Sequence, residues 1–131
     1  MNFVNFIKWT ANKIYGKGIN GRLSDIHPEA IISNSVIFKH KGIGVIIARM
    51  VRIGENVTIY PHVTLGGDGS GSRLVPTIED NVIVYTHAAV FGGVTIGHNS
   101  IIGAYTVVFD DIPPNSIVIG IPGKVVKRLE A

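Results

Sequence analysis

An apolar residue returns at every sixth position along most of this chain. Ile26, Ile32 and Phe38 begin the series, Ile47, Ile53, Ile59 and Leu65 continue it, and Ile78, Val84, Val90, Ile96, Ile102 and Val108 complete it. Four residues after most of these stands a second, small or β-branched side chain: Ala30, Val36, Val51, Val57, Val63, Val82, Ala88, Val94, Ser100 and Thr106. A period of six matches neither the 3.6 of an α-helix nor the 2 of a simple strand. It suits a solenoid of short flat strands joined at corners, in which each inward side chain stacks on its copy one coil later. Composition agrees, because 21 Ile and 16 Val against 4 Leu in 131 residues favour strands and argue against a helical bundle.

The register breaks twice. Between Phe38 and Ile47 the step is nine residues, and between Leu65 and Ile78 it is thirteen. The second break holds Gly66-Gly67-Asp68-Gly69-Ser70-Gly71-Ser72-Arg73, too rich in glycine to pack, so a loop is expected to protrude near 66–77. Such an excursion is either a binding edge or a tolerated surface insertion. Removing both insertions places the hexapeptides that begin at Phe38, Ile59, Val84 and Ile102 in successive coils. His62, His87 and Tyr105 then share the fourth place of theirs, and His40 holds the third place of its own. Coils about 4.8 Å apart would let His62 and His87 reach one bound substrate. The alternative is that corner histidines only satisfy backbone groups.

Several functions are disfavoured at this level. The chain has no cysteine, so it offers no disulfide, thiol nucleophile or Cys-built metal site. A net charge of +3 is small and dispersed, without a basic block or interleaved aromatics, and nucleic acid is not an expected partner. No apolar run is long enough for a membrane span. Ahead of the repeat, Phe3, Val4, Ile7, Ala11, Ile14 and Tyr15 fall at helical spacing, which predicts a short amphipathic helix within a separate segment, 1–24, before a solenoid domain, 25–131. That segment carries Lys8, Lys13, Lys17 and Arg22 and no acid. It is expected to cap the solenoid, with peripheral contact to an anionic membrane as the alternative. Lacking the continuous apolar core and small-residue cleavage site of a signal peptide, the chain is expected in the cytoplasm, or at the inner face of the membrane.

Residues 25 to 128 resemble the hexapeptide acyltransferase superfamily, and within it the serine acetyltransferases. Asp25-Ile26-His27-Pro28 is similar to their Asp-Ile-His-Pro entry to the first coil, and Lys39-His40 falls where they carry Asp-His. Val63-Thr64-Leu65-Gly66-Gly67 matches their sequence before the loop. Ile102-Gly103-Ala104, Pro113-Pro114 and Gly120-Ile121-Pro122-Gly123-Lys124 follow their closing pattern. The resemblance implies an all-β fold, a left-handed parallel β-helix with the short N-terminal α-helix added. It is an exception to the right-handed rule for parallel crossovers. It also implies a homotrimer with sites between subunits, a closed ring being the simplest symmetric assembly.

The reaction implied is transfer of acetyl from acetyl-CoA to a hydroxyl, with no metal. Its physical need is a base, and an imidazole with an ordinary pKa of about 6.5 can take the hydroxyl proton while a carboxylate orients it. His40 and Asp25 are the expected catalytic pair. Lys39, His62 and His87 are the expected acceptor-binding residues, and Gly66, Gly67, Gly103, Ala104 and Lys124 the expected CoA-binding ones. Lys39 departs from the family: a positive charge replaces the acid beside the histidine, which disfavours the ammonium of serine. The loop histidine expected after Arg73 is also absent, with Leu74-Val75 in its place. The expected acceptor is therefore a sugar hydroxyl of a surface polysaccharide or its precursor. Serine O-acetylation is the alternative within acyl transfer, and a zinc carbonic anhydrase or a non-catalytic scaffold lies outside it.

Overall fold

The computed structural model describes residues 23–130. They form a left-handed parallel β-helix with three faces. Face A contains β1 (Asp25–Ile26), β4 (Ile46–Ile47), β7 (Thr64–Gly66), β10 (Ala89–Phe91) and β13 (Val107–Val108). Face B contains β2 (Ile31–Ile32), β5 (Arg52–Ile53), β8 (Thr77–Ile78) and β11 (Thr95–Ile96). Face C contains β3 (Ile37–Phe38), β6 (Thr58–Ile59), β9 (Ile83–Val84), β12 (Ile101–Ile102) and β14 (Ser116–Ile119), and β15 (Lys124–Arg128) closes it as an antiparallel edge. Most strands are only two residues long, because each corner consumes the remaining four residues of the hexapeptide.

The stacking follows the period. Phe38 pairs with Ile59, Ile59 with Val84 and Val84 with Ile102, so the coils superpose in the register read from the sequence. All thirteen repeat positions point inward and are buried, as are the ten that follow them four residues later. Each buried aliphatic side chain contributes roughly 1.5–3 kcal/mol, so the core is a column of small equal increments with no dominant residue. The two polar side chains among these twenty-three positions are satisfied locally. Ser100 Oγ donates to the carbonyl of Pro113 at 3.2 Å and accepts from Ser116 N, also at 3.2 Å, while Thr106 Oγ1 accepts from Gly120 N at 3.3 Å.

The solenoid also continues past Val108, where the sequence period ends. Ile112 bridges to Ile96 and Val118 pairs with Ile102, both buried, after a step of four where six would be expected. A two-residue deletion at this corner, next to Pro113-Pro114, conceals the last coil from a strict count. Directly after a repeat residue, Gly97 shows why a small residue is needed: a Cβ there would lie 2.4 Å from Pro114 N.

The connection from β7 to β8 leaves the coil and returns against it. Leu74 packs over Gly93, where an added Cβ would come within 3.0 Å of its own Cβ. Within the connection Asp68 accepts hydrogen bonds from the amide of Ser70 at 2.9 Å and from its hydroxyl at 2.5 Å. Residues 1–22, which include the whole of the expected N-terminal helix and the basic residues of that segment, lie outside the described residues. Among the described residues no helix is long and apolar enough to cross a membrane.

Candidate active site

One corner column collects most of the expected site. It is the column joining face C to face A, formed by the connections β3–β4, β6–β7, β9–β10 and β12–β13. The lowest connection carries the three-residue insertion as a tight turn, Lys39–Gly42, in which His40, Lys41 and Gly42 have φ of 51°, 59° and 70°. Three consecutive left-handed residues reverse the chain abruptly and leave Lys39, His40 and Lys41 exposed. The return strand is anchored to the start of the solenoid. Gly44 N donates to Leu23 O at 2.7 Å, and Asp25 N donates to Val45 O at 2.8 Å. Leu23, Ser24 and Asp25 thereby line one open groove with Gly44, Val45 and Ile46. Asp25, fifteen residues before His40 in sequence, pairs with Ile46 on the strand that leaves the His40 turn.

Above this turn the aromatic side chains form a ladder. His62 N donates to Ile43 O at 2.9 Å, which seats its corner on the His40 turn. The ring of His62 stacks on that of His87 with centroids 4.8 Å apart, and His87 stacks on Tyr105 at 4.7 Å with their planes only 4° apart. These are the residues that share the fourth hexapeptide place. Two further features were not read from the sequence. Tyr60 and Tyr85, at the second place, stack beside the ladder at 4.7 Å. The hydroxyl of Thr86 also donates to Pro61 O at 2.8 Å and lies 2.9 Å from His87 Nδ1. The shared hexapeptide place of the two tyrosines would have announced their stack, whereas no spacing announces the hydroxyl bridge.

The five residues expected at CoA separate into two groups. Gly103 and Ala104 occupy the uppermost C-to-A corner, and Lys124 pairs with Ile119, whose side chain lies against Gly103. Gly66 and Gly67 sit on the far edge of face A, where β7 leaves for the loop. The other two histidines are placed elsewhere: His27 Nδ1 accepts from Glu29 N at 3.0 Å, and His98 Nδ1 lies 3.2 Å from Asn99 Nδ2 while its amide donates to Glu79 Oε1 at 3.0 Å. Among the described residues no three His, Asp or Glu side chains gather as a metal site.

Comparison with known proteins agrees with the solenoid fold. The serine acetyltransferase of Mycobacterium tuberculosis is 45% identical over 103 residues, covering 78% of this chain and 44% of the relative. The chain's solenoid is similar to that of the hexapeptide-repeat acyltransferases, on their serine acetyltransferase-like branch. Among solved structures, the Neisseria gonorrhoeae serine acetyltransferase in complex with serine superposes with a TM-score of 0.73 at 33% identity, over 92% of this chain and 46% of that one. A serine acetyltransferase in complex with CoA superposes at 0.72 and 30% identity, over 79% and 42%. No protein-family model matches the chain. The chain thus spans about half the length of the relatives it matches. What the branch shares with this chain is the solenoid.

Proposed function

We propose that this chain is an acetyl-CoA-dependent O-acetyltransferase in which His40 is the general base and Asp25 orients it. The observation that carries the reading is that Asp25 pairs with the strand leaving the His40 turn, at the base of an exposed ladder of side chains able to bind a polar acceptor. In the reaction, the acceptor oxygen attacks the thioester carbon of acetyl-CoA as the His40 imidazole removes its proton. Collapse of the tetrahedral intermediate breaks the C–S bond, and the proton held by His40 passes to the departing sulfur. The products are the acetyl ester and CoA thiol. Gly103, Ala104 and Lys124 would lie along the CoA, with the lysine ammonium offered to a phosphate. Gly66 and Gly67 would line its path on the far edge of face A. A homotrimer with the site shared between subunits completes the reading, and equilibrium sedimentation returning a monomer would overturn that part.

Serine is the acceptor best supported by likeness, since the relatives are named for it and two neighbours hold it. The sugar acceptor expected from the sequence becomes the second reading, favoured by one observation: the exposed turn places Lys39 and Lys41 on either side of His40, a field unfavourable to an ammonium group. Thiol release from acetyl-CoA, measured with L-serine and a panel of sugars and nucleotide sugars for wild type and His40→Ala, tests both. Turnover of serine at enzymatic rates places serine first, and turnover of a sugar alone reverses the order. Absence of turnover and of CoA binding would leave a non-catalytic scaffold.

A further inference from the structure

Two corner columns of this solenoid carry a left-handed side-chain-bearing residue on successive rungs, and they are filled differently; the third, between faces A and B, has left-handed Met50 and Gly92 on separate rungs. At the corners between faces B and C the residues are Asn56, Asn81, Asn99 and Asn115, with φ of 55° to 60°. Asparagine adopts that conformation at little cost, and its amide is useful there, as when Asn99 Nδ2 donates to Asn115 Oδ1 at 3.2 Å. At the corners between faces C and A the residues are His62, His87 and Tyr105, with φ of 61°, 61° and 59°. Histidine shares part of that tolerance, and bulky tyrosine does not. A corner needed only to turn the chain would be served by asparagine here as it is on the other column, so these side chains answer a different requirement.

His87 is the most constrained of the three. Its ring is held between His62 and Tyr105. Its Nδ1 is fixed by Thr86, and the direction of that bond follows from counting hydrogens. A hydroxyl has one hydrogen, and that of Thr86 is given to the Pro61 carbonyl, which can only accept. The Thr86 oxygen therefore accepts from His87, which places the proton of the neutral ring on Nδ1 and leaves a lone pair on Nε2. The residue as a whole is exposed, on the ladder that rises from the His40 turn. It stands about two rungs, roughly 10 Å, above that turn.

We propose that His87, set by Thr86, is an acceptor-binding residue whose Nε2 takes a hydrogen bond from an N–H or O–H of the acceptor remote from the hydroxyl being acetylated. This rests on the acetyl-transfer reading and adds to it a residue that its chemistry does not require. The donor group is the ammonium of an amino acid or a second hydroxyl of a sugar, and the two are separated by the arms of the test.

The ring nitrogens of His87 are first assigned by ¹⁵N NMR in wild type, Thr86→Val and Thr86→Ser. The expected result is an Nδ1–H tautomer in wild type and Thr86→Ser that is lost in Thr86→Val; an Nε2–H tautomer in wild type overturns the proposal. Steady-state kinetics on L-serine and on the best sugar then follow for Thr86→Val, Thr86→Ser and His87→Asn, the last chosen because asparagine keeps the left-handed corner. KM for the acceptor should rise about tenfold in His87→Asn and in Thr86→Val, the scale of one hydrogen bond, with KM for acetyl-CoA within twofold and Thr86→Ser close to wild type. An unchanged acceptor KM in folded His87→Asn, or an equal rise for both substrates, overturns the proposal. If wild type acetylates nothing, the acetyl-transfer reading fails separately. His87 is then decided by titrating L-serine and methyl glucoside against its ring signals, with His98 as the off-site control: movement at His87 alone supports binding there, and none overturns it.

Discussion

Gly44 and His62 sit on successive rungs of one corner, and the space between them is already full: a Cβ on Gly44 would lie 2.0 Å from His62 Nδ1. Gly44 also has φ of +70°, where an L side chain is strained. Gly44→Ala is therefore expected to displace the His62 ring and to destabilise the fold by about 1–3 kcal/mol, from backbone strain and overpacking together. A thermal melt gives the stability, and the His62 ring signals in an NMR spectrum report the displacement. Wild-type stability with unmoved signals would show that the ladder does not rest on this glycine.

The two left-handed columns should respond oppositely to substitution. Asn81→Ala places an ordinary residue at φ of 58° and should cost about 1–2 kcal/mol. His87→Asn puts the favoured residue where a less favoured one stands, and its stability should be equal to wild type or a few tenths of a kcal/mol higher, despite loss of the stacked ring. Chemical denaturation of both variants checks the contrast. A loss of more than about 1 kcal/mol in His87→Asn would assign the histidine to the fold instead of the site.

Much of this architecture is legible because a solenoid repeats one local rule. The thirteen inward residues and the shared place of His62, His87 and Tyr105 follow from counting by six, since strands in register turn equal sequence offsets into one spatial column. Counting fails where the number of residues in a corner changes. The deletion between Val108 and Ile112 hides the final coil, although its buried Ile112 and Val118 are as apolar as the rest. The left-handed run at His40, Lys41 and Gly42 is likewise absent from the composition of Lys39-His40-Lys41-Gly42, in which only the glycine signals it. Thr86 is invisible for another reason: its role depends on which carbonyl lies one coil below, a fact of packing and not of spacing.

Asp68 gives the loop a dependence on acid. The hydroxyl and then the amide of Ser70 hold its carboxyl below the ordinary carboxylate range. Because the folded value lies below the unfolded one, the contact supports loop order fully above the unfolded value and loses it as pH falls through the folded value. Ser70→Ala should move the Asp68 titration up toward the ordinary carboxylate value, and the loop should loosen at a correspondingly higher pH. A ¹³C NMR titration of the carboxyl carbon follows the first effect, and amide exchange in residues 67–76 follows the second. An Asp68 titration identical in the two proteins would remove Ser70 as the cause.

His40 and Asp25 should fail in different ways. Removing the imidazole in His40→Ala deletes the base itself, and kcat is expected to fall at least about 100-fold with CoA affinity retained. Asp25→Asn keeps the size of the side chain and leaves intact the backbone bond from Asp25 N to Val45 O, so the first coil should still form. What it loses is the negative charge that favours the imidazolium generated as the hydroxyl is deprotonated. The loss belongs to the transition state, so kcat should fall while the KM of the acceptor changes little. Kinetics of the purified variants, with circular dichroism to confirm the fold, separate the roles. A rise in acceptor KM at constant kcat in Asp25→Asn would reassign the carboxylate from orienting the base to binding the substrate.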